Sequence, residues 1–249
     1  MTLPLALRSR FPGAAALVLL LPTIAFADPQ PRSSLGIDVS HHSGAIDWDV
    51  VAGHEFRFVY LKATEGVDDA DPMFDAFRGA LDRIRIPRGS YHFFVSEDDP
   101  EEQARFFLAQ ARIGPGELVP VVDVETIGHG TTGDLSQKLR RTLERIEDEV
   151  GVRPMIYTTA RFWNAHFEPT FGSYPLWVAE YEVDEPELPA GWHEWTLWQY
   201  QGDAEIPGIE KGADRSRLRP GLELDSLLVP ARRGDPATAP PDGPSHPPG

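Results

Sequence analysis

Two carboxylates, Asp123 and Glu125, close the apolar run Leu118-Val119-Pro120-Val121-Val122. Residues two apart on a strand point to the same face, so these acids are expected side by side. A like charge within a few ångströms, together with partial desolvation, raises a carboxyl pKa and can keep one group protonated near neutral pH. One proton donor beside one anion is the equipment that breaks an acetal bond between sugars. On this segment alone the alternative, two acids simply reaching solvent at a strand end, stays open.

Other apolar runs also finish in polar groups. Asp38 ends Leu35-Gly36-Ile37, Lys62 to Glu65 end a second run, and Tyr91-His92 a third. Tyr157, Tyr181 and Trp198-Gln199-Tyr200 end three more. In parallel barrels chemistry takes place where strands finish. Acids ringed by aromatics suit a sugar polymer, because pyranose C–H faces pack on aromatic planes while hydroxyls bond to carboxylates. Tyr91, Tyr157, Tyr181 and Trp198 are therefore candidate substrate contacts, each against the competing reading of core packing.

The elements needed to hold that rim are legible in the alternation of short apolar runs with amphipathic stretches, which marks parallel βα units. Strands are expected at 35–39, 56–63, 89–94, 118–124, 155–158, 176–179 and 196–200, with a short eighth near 213–214. Asp71 before Pro72 predicts a helix start running through Phe74, Phe77 and Leu81. Asp99-Pro100 predicts a second, and Asp134 with Gln137 a capping box ahead of Leu139, Leu143, Ile146 and Val150. After Tyr181 the segments 182–194 and 201–212 are rich in Pro, Gly and acids and carry no amphipathic helix. The expected fold class is α/β, a TIM-like barrel whose last three strands lack full helices. A doubly wound open sheet is the rival, but no Gly-rich phosphate loop follows any of these strands.

Arg8 and Arg10, the apolar run 14–21 and Ala25-Phe26-Ala27 read as a secretory signal peptide over residues 1–27, with a linker at 28–34. The Pro-rich segment 231–249 reads as a disordered tail. Between them lies one expected domain, residues 35–230. The chain holds 39 acidic against 23 basic residues, a formal charge of −16 that becomes −18 once Arg8 and Arg10 are removed. That balance excludes the basic footprint of a nucleic-acid binder. It also disfavours anionic membranes and walls at long range. With no cysteine, the exported domain must be held by packing rather than disulfides.

Several motifs occur in order: Gly36-Ile37-Asp38-Val39-Ser40-His41-His42, Ile46-Asp47-Trp48 and Lys62-Ala63-Thr64-Glu65-Gly66. Tyr91-His92-Phe93, Asp123-Val124-Glu125, Trp177-Val178-Ala179-Glu180-Tyr181 and Trp198-Gln199-Tyr200 follow. Together they resemble the glycoside hydrolase family 25 lysozymes, N-acetylmuramidases that cut the β-1,4 bond after N-acetylmuramic acid in peptidoglycan. The resemblance implies a (β/α)5(β)3 barrel. It implies Glu125 as general acid, Asp123 as the carboxylate that stabilises positive charge or assists attack, and Asp38 as the acid on the first strand. A fourth acid is implied after the Pro207-Gly208-Ile209 turn and falls on Asp214, where Ser216 stands in place of the family's usual Asn. Glu223 or Asp225 competes if 215–221 is an insertion, with 222–228 read instead as a closing helix. No cofactor and no metal are implied, and the expected partners are peptidoglycan glycan strands, met by an exported, periplasmic or extracellular monomer with no membrane contact after signal cleavage.

Two other classes compete. A metal-dependent polysaccharide deacetylase would gather Asp38, His41, His42, His92 and Asp123 around a divalent ion. Adjacent histidines on an extended segment point apart, however, and no H-x-H or H-E-x-x-H spacing occurs. A catalytically inactive glycan-binding protein would keep the groove without its acids, yet every expected acid is present.

Overall fold

The computed structural model describes residues 35–129 and 131–231. The expected signal, linker and all but the first residue of the tail lie outside them.

In chain order the elements are β1 (Leu35–Val39), α1 (Trp48–Ala52), β2 (Phe58–Glu65), β3 (Asp69–Ala70), α2 (Phe74–Ile84), β4 (Arg88–Phe93) and α3 (Pro100–Ala111). They continue with β5 (Val121–Asp123), α4 (Thr132–Val150), β6 (Met155–Thr158), α5 (Ala160–His166), β7 (Leu176–Ala179), β8 (Leu197–Ala204) and β9 (Ala213–Leu218). The strands run β1-β9-β8-β7-β6-β5-β4-β2, and β1 pairs with β2, so the sheet closes on itself; β3 is a small appendage on β2. Parallel pairing holds from β1 through β8, whereas β9 is antiparallel to both its neighbours. Five helices are spaced along the first strands, and neither β7–β8 nor β8–β9 is joined by one. The expected (β/α)5(β)3 barrel is the observed fold.

Alternation along the strands divides the apolar side chains into two layers. Phe58, Tyr60, Val121, Met155, Tyr157, Trp177 and Leu197 fill the barrel. Val59, Leu61, Val122, Ile156, Val178 and Trp198 face outward, most of them toward the helices. Two glycines make the inner layer possible. A Cβ at Gly36 would lie 2.2 Å from the Phe58 ring, and one at Gly89 would lie 2.2 Å from the Tyr60 ring. The Tyr60 hydroxyl, buried below the mouth, donates to the Val119 carbonyl at 3.1 Å.

Where β8 and β9 lack a covering helix, arginine stems take its place. Arg217 lies over the rings of Trp198 and Tyr200, 4.2 and 4.6 Å from their centroids. Arg215 pairs with Glu55 and Arg219 with Glu194.

Three local expectations are corrected. Helix α2 starts at Phe74 after Met73, which makes no side-chain cap. Asp71 still braces the helix start: one carboxylate oxygen accepts from the Met73 backbone N–H at 2.9 Å, while the other accepts from both the backbone and the ring of His41, at 2.9 and 2.8 Å. The capping box of α4 sits one turn earlier than expected, with Thr131 as the cap and Asp134 as its partner. The closing segment is a short 3-10 turn, Leu224–Leu227, not a full helix.

Candidate active site

The inward-facing positions at the C-terminal ends of the parallel strands carry the polar residues. On β1, Gly36 leaves room for the ring beneath it, and the next inward residue is Asp38. Asp38 stands in register with Asp214 on antiparallel β9, so the two acids face the mouth from adjacent strands. On β5, Val121 belongs to the floor and Asp123 to the mouth, in register with Phe93 and Tyr157. Glu125 follows just beyond the end of β5, on the same side by alternation, and is exposed at the rim. Asp38, Asp214 and Tyr91 line one recess of about 140 Å³ with His42, Asp203 and Lys211. The four acids therefore converge. The competing choices do not: Glu223 precedes and Asp225 lies within a turn whose residues and neighbours pair with Leu118 and Val119, before the start of β5 and at the other end of the barrel.

Hydrogen bonds hold the acids unequally. Gln199 on β8 donates its amide to both oxygens of Asp38, at 3.0 and 3.1 Å. Its carbonyl oxygen accepts from the hydroxyls of Tyr157 and Tyr181, at 2.8 and 2.6 Å. Asp214 accepts from the backbone N–H of Asp203 at 2.8 Å. Asp123 is 8% exposed, and its Oδ1 is buried without any hydrogen-bond partner. Lys62, whose positive charge acts on Asp123, is bound to Glu65 at 2.6 Å and lies over the Phe93 ring.

All four carboxyls are displaced upward from the ordinary carboxylate range. Asp123 is pushed well up by burial, then by Glu125 and Asp38, with Lys62 pulling back. Asp38 is pushed well up by burial and by Asp214, against the opposing Gln199 bond. Glu125 is raised by burial on its protein side and by Asp214. Asp214 is raised chiefly by burial. Asp123 sits deeper and without a partner, so it carries the larger penalty for ionising, and the first proton belongs to the Asp123–Glu125 pair rather than to either member.

A site of this form is equipped for acid catalysis on a glycosidic bond, and comparison with known proteins agrees. Residues 37–209 match glycosyl hydrolases family 25. The chain belongs to that family. It is 32% identical over 184 residues to the uncharacterized protein YegX of Escherichia coli K12, covering 72% of this chain and 67% of that one. It is 32% identical over 203 residues to lysozyme M1 of Streptomyces globisporus, covering 74% and 67%. The crystal structure of the bacterial lysozyme from Streptomyces coelicolor matches with a TM-score of 0.74 at 29% identity, over 81% of this chain and 98% of that one.

Within this family 25 glycoside hydrolase, most aromatics named from the sequence reach the mouth, and one does not. Tyr91, Tyr157 and Tyr181 stand beside the acids, which appear among the causes that push each of their phenols up. Trp198 is the correction. It is 2% exposed, donates its indole N–H to the Glu180 carbonyl at 2.7 Å, and faces outward under Arg217. Gln199 takes the inward place, so Trp198 and Tyr200 on either side must point away. Gln199 was missed as a site residue, and Trp177 as a member of the barrel interior packed edge-on to Tyr157. The parity of β7 and β8 relative to Tyr157 and Asp123 is the signal that finds both. Trp177 also explains Ser216, whose hydroxyl accepts the Trp177 indole N–H at 3.0 Å inside the barrel.

The residues a metal-dependent rival would need are dispersed. His92 lies outside the barrel wall, its two ring nitrogens 2.8 Å from the Thr64 hydroxyl and 3.0 Å from the Gln103 side chain. His41 is engaged with Asp71. Among the described residues no group of three His, Asp or Glu is placed to hold a metal ion.

Proposed function

We propose that the protein is a lysozyme-type muramidase, hydrolysing the β-1,4 bond between N-acetylmuramic acid and N-acetylglucosamine in peptidoglycan. The observation that carries this reading is the convergence of Asp38, Asp123, Glu125 and Asp214 in one barrel mouth, with all four pKa values raised. Glu125, at the rim, is the group best placed to reach the leaving oxygen of a bound glycan and acts as general acid. Asp123 and Asp38 face the sugar from below. Once ionised they stabilise the oxocarbenium-like state by charge already in place. Water entering from the mouth completes hydrolysis. Tyr91, Tyr157 and Tyr181 supply apolar edges and phenolic oxygens for the sugar rings. Asp214 contributes negative charge beside Asp38 and substrate contact. The enzyme acts as a monomer outside the cytoplasm, after removal of residues 1–27.

Mass spectrometry of the fragments released from purified peptidoglycan by the wild type and by Glu125→Gln tests this reading. The amide has nearly the same shape but no carboxylic proton. The expected products end in reducing N-acetylmuramic acid, and the substitution lowers their release by about 10²–10⁴-fold. Free acetate with intact glycan strands would point to a deacetylase. Binding to the wall without new reducing ends would point to a glycan-binding protein. Either result overturns the proposal.

A further inference from the structure

Gln199 is 1% exposed, and its side chain serves three partners at once. Its amide nitrogen faces both Asp38 oxygens, and its carbonyl oxygen receives two phenolic hydroxyls. The orientation is dictated by chemistry. Turned over, the amide would set its carbonyl against a carboxylate, and its N–H groups would face phenols whose hydrogens then lack an acceptor. We propose that Gln199 is a positioning residue: it holds Asp38 as a correctly directed anion and commits the Tyr157 and Tyr181 hydrogens inward, leaving both phenolic oxygens to accept from the substrate. The groups so recognised are donors on the glycan, sugar hydroxyls or the acetamido N–H. This inference rests on the reading of Asp38 as a catalytic group.

The electrostatic setting shows why such a clamp matters. Asp38 faces Asp214 from β9, Asp123 and Glu125 from β5 and the turn after it, and the phenols of Tyr91, Tyr157 and Tyr181. His42 and Lys211 border its recess. Of the influences on Asp38, the Gln199 hydrogen bond favours ionisation, whereas burial and the nearby acids oppose it.

Rates on soluble peptidoglycan fragments across pH test the proposal with Gln199→Leu, Gln199→Glu and Asp38→Asn. Leucine removes the donor, so kcat is expected to fall about 10²–10³-fold at every pH. In Gln199→Glu the introduced carboxyl, while protonated, can still donate one O–H to Asp38 as its carbonyl accepts from the phenols. That variant is therefore expected to exceed Gln199→Leu by about tenfold or more on the acid side. It should lose the advantage as pH rises and the new carboxyl ionises. Wild-type kcat in Gln199→Leu overturns the proposal, as does equal impairment of both variants at all pH. Should Gln199→Leu fail to fold, a wild-type-shaped pH profile in Gln199→Glu overturns it alone. Full activity in Asp38→Asn would instead refute the catalytic reading of Asp38, a separate result from any failure at Gln199.

Discussion

Replacing Asp123 by Asn should make the folded enzyme more stable at neutral pH while removing its activity. The wild-type carboxyl is buried, has one oxygen without a partner, and faces Glu125, Asp38 and Glu65 with only Lys62 in its favour. Its native pKa is raised, so folded protein keeps a proton that the unfolded chain gives up. Below about pH 4 both states are protonated at this position and the substitution changes little. Between there and the native pKa the folded state binds more protons, so wild-type stability declines as pH rises. Asn carries no such titration. Relieving a strained active-site group typically gives about 0.5–2 kcal/mol. For a domain of this size each kcal/mol moves Tm by about 2–4 °C, so the gain at pH 7 should be about 1–8 °C. Thermal melts of both proteins from pH 3.5 to 8 measure it, with wall lysis as the activity control. A variant that melts lower than wild type at pH 7, or a Tm difference that does not grow with pH, refutes the reasoning.

Because Asp38 and Asp123 must ionise and both are raised, the acid limb of the kcat/KM profile should lie above the ordinary carboxylate range of about 4. Rates on soluble fragments from pH 3 to 9 check this, and an acid limb at the free-carboxylate value contradicts it. Gly89→Ala would press a methyl 2.2 Å from the Tyr60 ring and should destabilise the barrel by about 1–3 kcal/mol or more, read as a lower denaturation midpoint in urea. With a formal charge of −16, or −18 once Arg8 and Arg10 are removed, lysis of intact anionic walls should speed up as salt is raised toward ~0.15 M, while rates on neutral soluble glycans stay flat. Turbidity assays over a salt series check that contrast.

The barrel was legible because its strands are short apolar runs whose ends fall on polar residues. β1, β6 and β7 match their expected bounds, and Asp38, Asp123, Glu125 and Asp214 all reach the mouth. What escaped depends on neighbours distant in sequence. Helices α1 and α5 have only five and seven residues, too short for a periodic pattern to stand out. Asp71 could be placed at a helix start from its neighbours, but nothing local discloses that its second oxygen binds His41, thirty positions earlier. Trp198 looked like a sugar platform because aromatic character alone does not say which wall of a strand it occupies. Here strand alternation puts Gln199 inside and Trp198 outside, where Arg217 covers it. Asp123 lies buried while Glu125 is exposed at the rim, a difference in depth that adjacency in sequence cannot supply.

Strand β9 has one further consequence. It is the C-terminal strand of the barrel, the one that joins β8 to β1, and it brings Asp214 opposite Asp38. A chain still being synthesised has β1 through β8 but neither the seal nor its acid. Closure of the cylinder and the facing of Asp38 by Asp214 therefore arrive together, with the last strand to be made.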